Sequence, residues 1–375
     1  MVSQPSTPSA GRTHPTAKRG ANGHQPQINL DLLKRLTETP GVSGREERIR
    51  AIVLDELRPL VDDLRVDALG NVIATKRGKG KRRVMIAAHM DEIGFMVRYI
   101  DERGFLSLQP LGGFDPRVLV AQRVMVHTRG GDALHGVLTP QSKPIHMQVA
   151  GDKPEAAKLD DFYVDLGLPG DEVRKRVGLG DSITMDRTLE RVGDNIIAKA
   201  MDDRTGVFTM IEGLRRLGTH EAEIVAVATV QEEVGLRGAT TAAFAIQPDV
   251  AIALDTTLAM DTPGMPDNGA VTRLGAGVAI KVFDSSFIPN FKLVEHLREI
   301  AERDGIRHQL EVLPRGGTDA GAMQRAGSGA AAITLSIPSR YVHTVNEMVN
   351  SGDLDAAATL LARYLERAHT GSYEL

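Results

Sequence analysis

The chain has 375 residues, 42% of them apolar, which is more than one hydrophobic core usually holds and predicts two domains or one domain with a large insertion. Its 49 acidic and 45 basic side chains leave a formal charge of −4, so charge gives no reason to expect nucleic acid or a membrane surface as a partner. With no cysteine, disulfides, thiolate ligands and cysteine nucleophiles are excluded, and any metal must be held by His, Asp and Glu.

The first segment, residues 1–28, is rich in Ser, Pro, Thr, Gly and Arg and lacks both acidic residues and apolar periodicity, so it reads as a disordered tail. It lacks the apolar core of a secretory signal, and no later run reaches the roughly 18 apolar residues that span a bilayer. A cytoplasmic protein is the expectation. Asn29 is placed to cap a helix NLDLLKRLTET that stops before Pro40. In the next stretch, SGREERIRAIVLDEL, Ser43 and Glu46 match the S-x-x-E capping box, and Ile49, Ile52, Val53 and Leu57 recur on one helical face.

Strand patterns follow. Val66 to Lys76 reads as a hairpin-like pair around Gly70-Asn71, and RRVMIAAHMDEIGFMVRYI as a long apolar run. The basic stretch KRGKGKRR between them reads as a solvated turn. Across residues 93–185 the texture shifts to short alternating segments punctuated by Gly and Pro, which predicts a β-rich insert. Residues 29–92 and 186–375 then form one α/β domain, because strands and helices alternate in the second part. Helices are expected near Val207 to Leu217, from Phe291 to Gly305, and from Leu354 to Ala368 with Asp353 as N-cap.

Polar residues interrupt these strands repeatedly at one end. MIAAHMD ends in His89 and Asp91, NIIAKAMDD in Asp202 and Asp203, IVAVATVQEE in Glu232 and Glu233, AIALD in Asp255, and ITLSIPSRYVH in His343. Ligands of open α/β sheets bind outside the carboxyl ends of the strands, so these groups are expected to share one crevice. Asp202, Glu233 and Asp255 supply three negative charges and a hydroxide a fourth, which balances two divalent ions. Glu232 is then free to act as a general base.

Each motif also has a structural reading. His89 could be a satisfied strand histidine, Asp202-Asp203 a helix cap, Glu232-Glu233 a solvated strand end, Asp255 part of a turn, and His343 an ordinary histidine. Only their joint occurrence at successive strand ends favours a metal centre. His127, His135 and His146, inside the insert, lack that pattern and are read as structural. The chain has no G-x-S-x-G elbow and no P-loop, and HEAEI misses H-E-x-x-H for want of the second His.

The ordered set AAHMDEIGFMV, AKAMDDRTG, VQEEVGLRG, ALDTT, RGGTDA and YVHTVNEM resembles the glutamyl aminopeptidase family of dinuclear zinc peptidases, whose members form tetrahedral particles, over about Leu33 to Leu365. The resemblance implies a mixed sheet flanked by helices, interrupted by a small β-barrel-like dimerisation insert. It also implies that His89 and Asp255 hold one metal, that Glu233 and His343 hold the other, and that Asp202 bridges them. Asp91 would stand behind the ligands, Glu232 would be the base, and Arg315, Thr318 and Asp319 would lie near the substrate. The implied cofactors are two divalent ions per subunit, Zn or Co, with Mn also compatible with such donors. The implied partners are peptide substrates and copies of the chain itself, dimers assembling to a tetrahedral dodecamer.

The expected reaction is removal of the N-terminal residue from peptides. A deacylase or amidase acting on a small amino-acid conjugate is the alternative, since the same groups can hydrolyse any amide. The absence of Trp and the 4% aromatic content leave little material for stacking sugars, which disfavours a cellulase.

Overall fold

The computed structural model describes residues 28–143, 145–147, 156–265, 268 and 270–375. Residues 1–27, read as a disordered tail, lie outside the described residues, whereas Ile28, counted with that tail, packs against the core.

Two sheets organise the chain. The first contains β1 (Asp63–Val66), β2 (Val72–Lys76) and β3 (Arg83–His89), after which the chain leaves for the second. That second sheet is a closed six-stranded barrel of β4 (Gly94–Ile100), β5 (Leu106–Leu111), β6 (Gln122–His127), β7 (Ala133–Pro140), β8 (Phe162–Asp165) and β9 (Ser182–Met185), in the order β4-β5-β8-β7-β6-β9. The chain then returns to the first sheet with β10 (Glu190–Val192), β11 (Asn195–Ala198), β12 (Glu223–Thr229), β13 (Val250–Leu258), β14 (Val278–Phe283), β15 (His308–Val312), β16 (Ala331–Arg340) and β17 (Glu347–Asn350). Its main path is β1-β2-β12-β3-β13-β16-β17-β11-β10, with β14 pairing β15 and β16. The expected mixed α/β sheet with a barrel-like insert is the fold observed.

The central strands β12, β3, β13 and β16 run parallel, with Thr229 opposite His89 and Asp255 opposite Ser336. They read as unbroken apolar runs because both of their faces are covered. Alternation assigns Val84, Ile86 and Ala88 to one layer and Met85 and Ala87 to the other. The first layer holds large side chains from α1 (Leu30–Glu38), α2 (Glu47–Leu57), α4 (Met201–Arg216), α6 (Phe291–Arg303) and α8 (Ser351–Arg367). Full burial of a Leu or Phe there contributes about 1.5–3 kcal/mol. The second layer is thin and alanine-rich, with Ala239, Ala242 and Ala243 of α5 (Arg237–Ile246) and Ala320 and Ala322 of α7 (Asp319–Gln324). A short α3 (Gly170–Arg176) buries Val173 in the separate core of the barrel.

Two expected caps are not caps. Asn29 does cap α1, its Oδ1 accepting from Leu32 N at 3.1 Å. In contrast, α2 starts at Glu47 with no side-chain cap, and neither Ser43 nor Glu46 closes a capping box. Likewise α8 begins at Ser351 under Asn350, while Asp353 turns away to accept from Gly275 N and Gly277 N, both at 2.7 Å. Ser43 instead donates to the Asp91 carboxylate, and Asp353 serves distant backbone N–H groups in place of the local ones.

Candidate metal centre

The register of the parallel strands brings the carboxyl ends of β3, β12 and β13 to one edge. Strand β11 joins that edge in the same direction because two antiparallel pairings, through β17, separate it from β16. All five sequence-predicted strand ends therefore open into one cavity of about 400 Å³, lined by His89, Asp202, Glu232, Glu233, Asp255, Arg315, Thr318 and His343 among others.

His89 ends β3 and is buried. Its Nδ1 lies 3.0 Å from the Asp91 carbonyl, which fixes the proton on that nitrogen and turns the Nε2 lone pair toward the cavity. There Nε2 lies 3.1 Å from Asp202 Oδ1 and 3.9 Å from Glu232 Oε2. His343 repeats the device from the loop after β16. Its Nδ1 donates to the carbonyl of Gly113 at 2.8 Å, and its Nε2 lies 3.3 Å from both Asp202 Oδ2 and Glu233 Oε1. Each oxygen of Asp202 thus faces a different imidazole. Gly113 comes from the loop after β5, so the barrel supplies the carbonyl that orients one histidine of the cavity.

The adjacent acids divide two tasks that the sequence leaves open. Asp203 caps the helical part of α4, accepting from Gly206 N at 2.9 Å, and also accepts from His89 N at 3.2 Å. Asp202 is left for the cavity. Asp91 is fully buried and does more than orient an imidazole. Its two oxygens accept from the backbone N–H groups of Glu232 at 3.0 Å and Glu233 at 3.2 Å, and Ser43 Oγ donates to it at 2.6 Å.

Three further residues position the site and were not singled out from sequence. Glu347 accepts from Asp202 N at 3.1 Å and His343 N at 2.7 Å. Its spacing of four from His343 was visible, but nothing in the sequence marks a carboxylate as an acceptor for backbone. Thr229 Oγ1 donates to Asp319 Oδ2 at 2.6 Å. Lys199 donates to Glu92 at 2.6 Å, a buried pair joining the chain's exit into the barrel to its return. From the loop near the cavity, Thr318 caps α7 and meets Thr334 Oγ1 at 2.8 Å, whereas Arg315 is exposed and has no side-chain partner among the described residues. His127 bonds Arg48 and Thr184 and His135 lies near Asp186, away from the centre; His146 is exposed.

The electrostatics favour a cation. Burial raises the Glu232 carboxyl well above its usual range; His89 opposes this, and Asp255, Asp319 and Glu233 reinforce it. Burial and Asp202 raise Asp255 in the same direction, and burial raises Asp319 to about 6 against the Thr229 hydrogen bond. Burial opposes charge on His343, yet Asp202 and Glu233 hold its pKa up at about 12. Acids that resist ionisation beside imidazoles that retain protons describe a surplus of negative charge. Glu233 Oε1 is also buried without a hydrogen bond, as is Asp319 Oδ1. Ligand atoms of His89, Asp202 and Glu233 lie within 4.8 Å of one another, as do those of His89, Glu232 and Asp255. These nitrogen and oxygen donors fit a divalent metal of the Zn, Co or Mn type.

Residues 70–360 match the family model described as M42 glutamyl aminopeptidase. The chain belongs to that family. It is 39% identical to the lysyl aminopeptidase of Pyrococcus furiosus over 347 residues, 90% of this chain and 97% of that one. The solved aminopeptidase from Desulfurococcus kamchatkensis superposes with a TM-score of 0.86 at 40% identity, covering 90% of this chain and 94% of that one. The TET1 peptidase of Pyrococcus horikoshii, which can assemble into a tetrahedron or a large octahedral shell, gives a TM-score of 0.80 at 32% identity over 90% and 98% of the two chains. This M42 chain is accordingly a hydrolase of peptide bonds, an aminopeptidase. No helix among its described residues is long and apolar enough to cross a membrane.

Proposed function

We propose that the chain removes N-terminal residues from peptides with two divalent ions, His89 and Asp255 holding one, Glu233 and His343 the other, and Asp202 serving both. The observation that carries this reading is the split of the Asp202 carboxylate, one oxygen 3.1 Å from His89 and the other 3.3 Å from His343. Bound there, the ions would polarise the scissile carbonyl and acidify the attacking water. Glu232, with its raised pKa, takes the proton from that water on a carboxylate oxygen and delivers it to the departing amide nitrogen. Asp91 holds the turn that carries Glu232, and the cavity's surplus of carboxylates favours a substrate with a free α-amino group. Arg315 and Thr318 border the cavity where substrate would lie, Thr318 shaping the wall and Arg315 offering an exposed cation to the peptide, while Asp319 stands buried behind Thr318 and accepts from Thr229. Like its TET relative, the chain would assemble into a closed homo-oligomer.

The test is hydrolysis of a panel of aminoacyl anilides by the Zn- and Co-loaded protein beside their N-acetylated forms. Cleavage of the free-amine set is expected. Cleavage of only the acetylated set would replace the aminopeptidase reading with a deacylase.

A further inference from the structure

The diverted capping box has a use. Glu46 is buried at 3% exposure, and its Oε1 accepts from Gln231 N at 3.2 Å, 185 residues away, as well as from Gly44 N at 2.8 Å. Ser43 Oγ donates to Asp91 Oδ2, the oxygen that also receives Glu233 N. Three consecutive backbone N–H groups, of Gln231, Glu232 and Glu233, thus end on two buried carboxylates. Gln231 is the residue that needs this most, because its φ of 55° is a left-handed conformation that a side chain disfavours. The segment bearing Ser43 and Glu46 is itself tied down. Arg204 donates to the carbonyls of Leu36 and Thr39, and Gly41 N donates to Glu92 at 3.0 Å. Arg204 follows Asp202 by two residues, so one chain of contacts runs from the shared ligand, through the α1–α2 connection, to the turn carrying Glu232.

We infer that Ser43 and Glu46 form a brace that sets the position of the Glu232 carboxylate: positioning residues for the reaction, acting through Gln231 and Asp91. The inference rests on Glu232 being the base. The brace fixes the turn at both ends, Glu46 from before Glu232 and Ser43, through Asp91, from behind Glu233. A base displaced by a fraction of an ångström remains intact and ionisable but loses its alignment with the attacking water, which lowers kcat and leaves binding alone.

Glutamate 46 allows a test that separates brace from cap. Both of its hydrogen bonds use one oxygen, so Glu46→Gln keeps them with the amide oxygen, whereas Glu46→Asp keeps the charge and the better capping side chain but cannot reach Gln231. In full-length, metal-loaded enzyme, Glu46→Asp should lower kcat about 10–100-fold, as loss of a supporting contact typically does, with bound metal unchanged and KM within about twofold. Glu46→Gln should remain near wild type. A capping role predicts the reverse ranking, and that result would overturn the brace. Amide hydrogen exchange across residues 230–234 reads the turn without reference to chemistry. It should quicken in Glu46→Asp and Ser43→Ala and stay at the wild-type rate in Glu46→Gln; unaltered exchange in the first two also sinks the inference. Glu232→Gln serves as the separate control, since full turnover in that variant refutes the base whatever the exchange data show.

Discussion

Along the carboxyl edge of the sheet, Asp91, Asp203 and Asp255 are buried, and each oxygen that is not tied to backbone faces another charged group. On the barrel, Arg117 pairs with Asp115, Arg103 with Asp101 and Arg98 with Asp160 at side chains that are largely open to water. The first region gathers its acids out of solvent, whereas among the described acids of the barrel Asp181 alone is buried, within reach of Arg129. Exposed pairs gain little, whereas a buried unpaired carboxylate is costly enough that it must be protonated, paired or bound to a cation. The difference shows where the molecule holds its chemistry, and it can be broken experimentally at either end.

The largest effect is expected at the edge itself. Glu232→Gln should lower kcat by about 10²–10⁴-fold, the usual contribution of a general base, while metal analysis finds the same ions as in wild type. A wild-type rate would remove Glu232 from the mechanism. Prolonged chelation should abolish turnover, and Zn, Co or Mn should restore it. Because the ions bind only the folded state, the stripped protein should also melt at a lower temperature. If chelation left both rate and melting point unchanged, the carboxylate edge would need another counter-charge.

Much of that edge was legible beforehand because charged residues at the ends of apolar strands contradict the pattern around them. His89, Asp202, Glu232, Glu233, Asp255 and His343 all stood out in this way, and the structure brings them into one cavity. Residues whose task is to hold backbone were legible only in part. The helix-cap reading of Asp202-Asp203 holds for Asp203, but its second bond, to His89 N, and both backbone bonds of Glu347 depend on how the chain folds back on itself, which no local pattern records. Ser43 and Glu46 matched a capping box in sequence, but capping energies of about 1 kcal/mol are easily outcompeted by a buried acceptor serving a distant donor. The barrel was readable as short alternating strands, while its delivery of the Gly113 carbonyl to His343 was not, since a glycine pair announces only a turn.

That glycine pair gives the next prediction, at the boundary between the two regions. A Cβ on Gly112 would lie 2.9 Å from Glu233 Oε2 and 2.5 Å from Ile93 Cγ2, on a backbone with φ of +89°. Gly112→Ala should therefore displace Glu233 and weaken metal retention about 10–100-fold, measured by competition with a chelator. Its neighbour is the control. A Cβ on Gly113 meets only the His343 ring, at 3.5 Å, so Gly113→Ala should bind metal nearly as wild type does. Equal losses in the two variants would mean that the loop, rather than Glu233, had been disturbed.

The joint between sheet and barrel should respond to acid. His127 accepts from Arg48 of α2 and meets Thr184 of β9, and burial, followed by the Arg48 charge, lowers its pKa to about 4. A histidine whose folded pKa lies below its unfolded value of about 6.5 stabilises fully above pH 6.5, and that contribution is lost as the pH falls toward 4. Since the ring is partly solvated, the loss should be on the order of 1–2 kcal/mol. Buried acids such as Asp353, raised to about 6 by burial, act with the opposite sign over the same range, so wild type alone would not reveal it. The difference in denaturant stability between His127→Gln and wild type should shrink from pH 7 to pH 4.5. A constant difference would show that the joint is not held by a neutral imidazole.

The smallest effect belongs to the barrel surface. Arg117 lies against Asp115 in the open, and Asp115 still accepts from the Arg117 backbone when the guanidinium is removed. Arg117→Ala should thus leave the melting temperature of the isolated fold unchanged. Its informative failure would be a fall in melting temperature together with a smaller particle on gel filtration. That pair of changes can arise only if another copy of the chain buries Arg117, in which case the barrel would hold charge away from water as the sheet edge does, and the contrast between the two regions would be a property of the protomer and not of the assembly.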